Sequence, residues 1–253
     1  MKEYLTYSEV QERCSSIAQK YEIHEDKFYD IVEKWAEEDV AVNDKLIYSF
    51  TELLQLVSDE IAAMEKSVDL SATCRAGCAF CCYFPIIVNE MEVKMMKQAI
   101  ESFPDDRKEF IKDHIKNYYT KYKEKINQLS AIEDDMDEDF KYEYRKLLMP
   151  CPLLNTETNQ CLAYEVRPIP CRTYVNYTDP KICEDNIMPK ETVSFEFLYE
   201  QYMGALNEFL QFLYEEEGDT GLVQYPDDVF RTDYLANWLK PEGNEDVKYE
   251  STK

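Results

Sequence analysis

The chain has 253 residues, a formal net charge of −24 and only five glycines. Such acidity disfavours phosphate backbones and anionic lipid as partners, and the shortage of glycine disfavours glycine-rich phosphate loops. The length allows one large domain or two small ones. Acidic tracts at 133–139 and 215–217 read as solubilising surface. Glu3 stands where a secretory signal would turn apolar, and apolar runs such as 84–88 are far too short for a membrane span. The expectation is a cytoplasmic protein that binds neither nucleic acid nor membrane, with a protein partner left open. On the same grounds Asn176-Tyr177-Thr178 matches a glycosylation acceptor without acting as one.

Residues 1–70 read as an N-terminal helical region. Ser8-x-x-Gln11 is a candidate capping box ahead of Val10, Cys14, Ile17 and Tyr21. Phe28, Ile31, Val32 and Trp35 mark a second helix. Leu46, Phe50, Leu53, Val57, Ile61 and Met64 mark a third, opened by Asn43. Cys14 falls on the apolar face of the first helix and reads as a small buried hydrophobe. His24 and His114 are the only histidines, and each reads as a helix-lining or capping residue with no imidazole ligand implied.

Past the first cysteines, residues 83–88 predict a short extended piece and Asn89-x-x-Glu92 a capping box. The helix it opens carries Met91, Met95, Met96, Ala99 and Ile100 as core filler. Pro104-Asp105-Asp106 predicts the start of a long helix with the stripe Ile111, Ile115, Tyr118, Tyr122, Ile126 and Leu129. Another helix follows over Met136, Phe140, Tyr144 and Leu147. From 150 to 189 periodicity fades, and six of the ten prolines fall there. An irregular stretch of that length needs an organiser other than a core. Helical spacing returns at Phe195, Leu198, Tyr202, Leu206, Phe209 and Leu213, ending at Gly218. Pro226-Asp227-Asp228 predicts one last short helix with Phe230, Tyr234, Leu235 and Trp238, before a loose polar tail after Pro241.

Eight of the nine cysteines lie between 74 and 183: Cys74, Cys78, Cys81, Cys82, Cys151, Cys161, Cys171 and Cys183. A reducing compartment does not keep so many thiols as disulfides, so an all-thiolate metal site or iron–sulfur cluster is the physical expectation. Cys78-x-x-Cys81 has the spacing that lets two thiolates meet one metal, with Gly77 easing the turn before it. Cys74 adds a third ligand, and a fourth comes from Cys82 or from the distant group. Adjacent side chains diverge on either regular backbone. One of Cys81 and Cys82 therefore serves a second metal, stands in reserve, does redox chemistry or only packs. Four thiolates on one zinc ion leave a net negative charge, which Arg75, Arg167 and Arg172 are placed in sequence to offset by hydrogen bonds to sulfur. Among them Arg172, then Arg167, is the candidate for supporting a bound cofactor. The whole reading requires that sulfurs from 74–82 and from 151–183 converge.

Cys74-x3-Cys78-x2-Cys81-Cys82, Cys151-Pro152-Leu153-Leu154, Cys161-Leu162-Ala163-Tyr164-Glu165, Arg167-Pro168-x-x-Cys171-Arg172 and Cys183 together resemble the YkgJ-type cysteine-cluster family over about residues 74–185. The resemblance implies zinc or iron–sulfur binding by the eight cysteines and no particular activity. One branch of that family resembles flagellin lysine N-methylase, which implies protein-lysine methylation, although this chain lacks a glycine-rich loop for a methyl donor. Cys74-x3-Cys78-x-Phe80-Cys81 also resembles the radical S-adenosylmethionine motif. The alternating strand–helix pattern of a barrel is missing from the sequence around it.

The combined expectation is a mainly α protein: a helical layer around an irregular cysteine-rich metal-binding module, divided as 1–70, 71–190 and 191–253. Its role is metal binding through up to eight thiolates, iron–sulfur in preference to zinc. A cluster-dependent enzyme is the alternative, and a metal sensor follows, weakened by the absence of a basic recognition helix.

Overall fold

The computed structural model describes residues 4–129 and 138–241. The tail beyond 241 and the side chains of Leu129, Met136 and the acidic run at 133–139 lie outside them. The protein is mainly α-helical, with three two-stranded antiparallel pairings among the described residues.

Helix α1 (Tyr7–Ser15) opens on a capping box, but at Thr6 and Glu9, not at Ser8 and Gln11. Thr6 Oγ1 accepts from the Glu9 N–H at 3.3 Å, and Glu9 Oε2 accepts from the Thr6 N–H at 2.7 Å. An ionised carboxylate at the third position outcompetes the neutral amide two residues on, because charge-assisted bonds are stronger. A short α2 (Ile17–Lys20) leads to α3 (Asp26–Glu37) and the long α4 (Val42–Ser67). All six apolar positions predicted for α4 are buried. Asn43 does not cap it: the cap position is Ala41, and Asn43 lies inside the first turn. Glu60 of α4 is buried and accepts from Tyr21 Oη and Lys27 Nζ, both at 2.7 Å, which binds the N-terminal helices to one another. Cys14 is half-buried against the core, as its helical spacing predicts.

Strand β1 (Ile87–Asn89) runs into α5 (Glu90–Glu101), where Asn89 Oδ1 accepts from the Glu92 N–H at 2.7 Å. The return half of that box is missing because the Glu92 side chain turns into the core instead. Met91, Met95, Met96, Ala99 and Ile100 are all buried. Next come α6 (Asp105–Lys121), α7 (Lys123–Leu129) and α8 (Glu138–Lys146). The predicted long helix is thus interrupted at Tyr122. Tyr118, Tyr119, Ile126, Phe140, Tyr144 and Met149 form a second, mostly aromatic cluster beside the main core.

The 150–189 stretch is as irregular as its prolines predict. It holds the pairing of β2 (Leu154–Asn155) with β3 (Gln160–Cys161), the single helical turns α9 (Pro170–Thr173) and α10 (Lys181–Asp185), and strand β4 (Tyr174–Val175). Strand β4 pairs with β5 (Val193–Ser194). Helix α11 (Leu198–Glu217) follows, closed by Gly218 at φ 79°. It packs on α3 and α4, so the last helical segment joins the first in one layer. The final segment is two turns, α12 (Asp227–Phe230) and α13 (Leu235–Trp238), separated by β6 (Thr232–Tyr234). The single helix expected there is corrected because β6 bonds to β1, with Ile87 opposite Tyr234, and leaves Phe230 78% exposed. No helix among the described residues is long and apolar enough to cross a membrane.

Candidate metal centre

Short-range turns shape the first cysteine block. The Cys78 N–H donates to Arg75 O at 2.9 Å, the Cys82 N–H to Ala79 O at 3.0 Å, and the Phe84 N–H to Cys81 O at 3.1 Å. Phe80–Tyr83 form one 3-10 turn. Gly77 adopts φ 87°, a region that strains any residue with a Cβ, so the tight turn ahead of Cys78 depends on it.

The distant block is bonded directly to the first. The Thr73 N–H and Oγ1 donate to Asn176 O at 2.8 and 3.0 Å, and the Asn176 N–H donates to Cys74 Sγ at 3.4 Å. The Cys151 N–H donates to Cys82 O at 2.7 Å. Helix α10, which carries Cys183, packs on the 3-10 turn. Asn176 itself is buried, its Oδ1 accepting from the Thr178 N–H and hydroxyl at 3.0 and 2.8 Å. The apparent glycosylation triplet is a structural turn.

These contacts gather part of the predicted set beside the 80–83 turn. Cys74, Cys78, Cys81 and Cys183 line one pocket of about 340 Å³, part of it open to solvent, together with Phe84, Arg145, Tyr174 and Asn176. Cys82, Cys151, Cys161 and Cys171 lie off that pocket. Among the described residues, no three cysteine, histidine or acidic side chains stand in finished metal-ligating geometry. The thiols are gathered without being closed on one point. All nine cysteines are free.

The thiols are electrostatically coupled. Cys74 and Cys78 interact directly, which pushes the Cys74 thiol up and the Cys78 thiol down. Cys81 and Cys82 do the same, with Cys81 lowered and Cys82 raised. Burial pushes Cys151 up to about 12 and Cys183 up to about 11, with neighbouring thiolates adding to it. Cys171 is raised well above its ordinary value by burial, then by Cys151, Cys81 and Cys161. Burial thus favours the protonated form at Cys151, Cys171 and Cys183, while Cys78 and Cys81 are the thiols eased toward thiolate.

Guanidinium groups surround the cluster. Arg167 adds to the lowering of Cys81 and partly offsets the burial that raises Cys161 and Cys171, and it stacks on the Tyr164 ring at 4.1 Å with its Nε unpartnered. Arg172 is buried and donates to Arg167 O at 2.9 Å, Ser58 Oγ at 2.8 Å and Glu165 O at 2.5 Å. Its hydrogen bonds thus go to oxygen. Arg75 acts on Cys78.

Sequence spacing missed Arg145 and Arg107. Arg145 lines the pocket, donates to Phe80 O at 2.6 Å and Ile187 O at 2.9 Å, and partly offsets the burial that raises Cys183. Arg107, on α6 and paired with Glu165 at 2.7 Å, partly offsets the burial that raises Cys161. Arg107 is far from any cysteine in the chain, and Arg145, although shortly before Cys151, acts instead on Cys183 and on the 80–83 turn, so spacing marks neither role. His114 packs against the backbone of Pro152 and Leu154, with Nε2 unpartnered. Soft donors, cationic surroundings and an N–H aimed at sulfur are the chemistry that a thiolate-bound metal requires.

Residues 73–192 match the family model described as "CxxCxxCC: Putative zinc- or iron-chelating domain", the chelating-domain family that the cysteine blocks resemble. No curated protein and no solved structure matches the chain.

Proposed function

We propose, from the match of residues 73–192 to the putative zinc- or iron-chelating CxxCxxCC domain, that this protein has a metal-binding or scaffold role. Its ligands are the thiolates of Cys74, Cys78, Cys81, Cys82, Cys151, Cys161, Cys171 and Cys183, and its metal is an iron–sulfur centre in preference to zinc. The observation that carries the reading is the meeting of Cys183 with Cys74, Cys78 and Cys81 around one pocket. Thiols about 100 residues apart in sequence line that pocket together, and sulfur is the soft donor that zinc and iron accept. Iron–sulfur is preferred because eight thiols exceed what one structural zinc ion uses. The cytoplasm is the proposed location, because eight clustered thiols kept for a metal need a reducing compartment.

Anaerobic purification of the full chain, with metal and acid-labile sulfide analysis and a visible spectrum, tests this reading. A brown protein containing sulfide is the expected result. A colourless protein with stoichiometric zinc replaces the cluster by zinc and keeps the site. A chain that retains neither metal overturns the proposal. Binding of S-adenosylmethionine by the loaded protein would redirect it toward a cluster-dependent enzyme such as a lysine N-methylase.

A further inference from the structure

The arm that brings Cys183 to the pocket has little of its own to hold it there. It runs over residues 177–192 and carries α10, which buries none of its residues, and positions 184–188 are exposed. Its two ends are fixed. At the first, the Asn176 side chain donates to Thr178 O and Asp179 O at 3.5 and 3.4 Å. At the second, Val193 pairs with Val175 across β4 and β5, and Thr192 Oγ1 lies 2.6 Å from Tyr174 Oη. Between the ends the bonds are local: the Cys183 N–H donates to Pro180 O and the Asn186 N–H to Ile182 O, both at 3.1 Å. A single helical turn without a buried face does not stand by itself.

One hydrogen bond among the described residues reaches 181–188 from another element, and it comes from Arg145 of α8. Arg145 donates from Nε to Ile187 O at 2.9 Å and from Nη1 to Phe80 O at 2.6 Å, and Phe80 opens the turn that carries Cys81. One guanidinium thus spans the first cysteine block and the Cys183 arm. It is buried, and it lies over the Phe84 ring at 4.4 Å from the centroid, which fixes its plane. Helix α8 is a firm mount for it, because Phe140 and Tyr144 are buried in the aromatic cluster.

We propose that Arg145 latches the Cys183 arm onto the 80–83 turn, through the paired geometry of its two bonds and not through its charge. It is a positioning residue, acting on the pocket through where it sets Cys183. The two acceptors lie in separate segments and take different nitrogens of one planar group. A lysine at 145 keeps the charge but has one point donor, which reaches one carbonyl and abandons the other. Without the latch the arm carries Cys183 away from Cys74, Cys78 and Cys81. The consequence for metal rests on the chelation reading above; the position of the arm does not.

The test compares the full chain with R145K and R145M, reduced and metal-free, by timed alkylation mapped with mass spectrometry. Cys183 should react about tenfold faster in both variants, the equilibrium equivalent of one charge-assisted hydrogen bond. Cys14, on α1 in the helical layer, should keep its parent rate, because a general loss of stability would expose it together with Cys183. Trypsin should also cut earlier after Lys181 and Lys190 in both variants. Parent-like reactivity of Cys183 in R145K overturns the latch, since charge alone then suffices. A rise at Cys14 equal to that at Cys183 overturns it as well. Should R145M not fold, R145K and the parent decide: the Arg145 Nε–H of the parent should exchange slowly with solvent by NMR, and fast exchange overturns the proposal. Zinc titration of the same proteins is a separate readout, with binding about tenfold weaker in both variants as the expected result. A parent that binds neither zinc nor iron overturns the chelation reading, and the metal-free alkylation still decides the latch.

Discussion

Arg172 shows how one side chain can be misread from sequence position alone. Next to Cys171, it looks placed to donate to sulfur, yet its donors go to Ser58 on α4 and to the carbonyls of Glu165 and Arg167. It therefore fastens the cysteine stretch to the helical layer. Burial depresses its pKa to about 10, which still leaves it charged at neutral pH. The Arg172→Met variant should lose about 2 kcal/mol in urea unfolding, the cost of leaving buried acceptors unpaired, with metal stoichiometry unchanged. A large loss of bound metal from a still-folded variant would instead put the guanidinium in direct service of the sulfurs. Arg167 is the other half of the lesson. Its charge reaches Cys81, Cys161 and Cys171 through space, and adjacency in the chain predicted that only in outline.

At the level of elements, helices with a sustained apolar stripe were readable, and those whose ends depend on competing caps were not. The stripe of α4 is buried along its whole length because its spacing leaves one consistent face. Its start was misassigned to Asn43, since any residue with extended backbone at the boundary serves, and Ala41 has it with φ −59° and ψ 143°. β6 was invisible for a related reason. A three-residue strand has too little periodicity to distinguish it from a helical turn, and its partner β1 lies about 145 residues away in the chain. The 150–189 stretch carries the sharpest prediction at this scale. Its regular pieces are two to five residues long, too short to stand without support. A structural zinc ion contributes about 10–16 kcal/mol to folding, against about 5–15 kcal/mol for the net stability of a domain. Treating the loaded protein with a strong chelator should therefore open peptide bonds at 150–190 to limited proteolysis while α3, α4 and α11 remain intact. Unchanged cleavage after verified metal loss would show that the stretch is held by packing alone.

For the whole molecule, the main core runs continuously from the N-terminal helices through α5 and the cysteine stretch to α11 and α13. Within it, Glu92 is buried near the hydroxyls of Tyr199 and Tyr202, with Oε1 lacking a hydrogen-bond partner, and burial pushes its carboxyl up to about 7. The folded protein thus holds this proton more tightly than the unfolded chain does. Stability is greatest below the ordinary value of 4.5 and falls as pH rises to about 7. Glu92→Gln removes the dependence: its advantage over the parent should grow by about 1 kcal/mol between pH 6 and pH 8, measured by thermal unfolding. A difference that stays constant across that range would mean the carboxyl titrates normally. The sequence by itself determined that the protein is mainly helical, that residues 150–189 hold no long regular element and that eight thiols invite a metal, because periodicity, proline and cysteine chemistry are local properties. Only the tertiary structure decided which sulfurs share a pocket, which arginines stand over them and where the last strand pairs. Those outcomes depend on contacts between residues tens to more than a hundred positions apart, which backbone turns and core packing select and which no local pattern encodes.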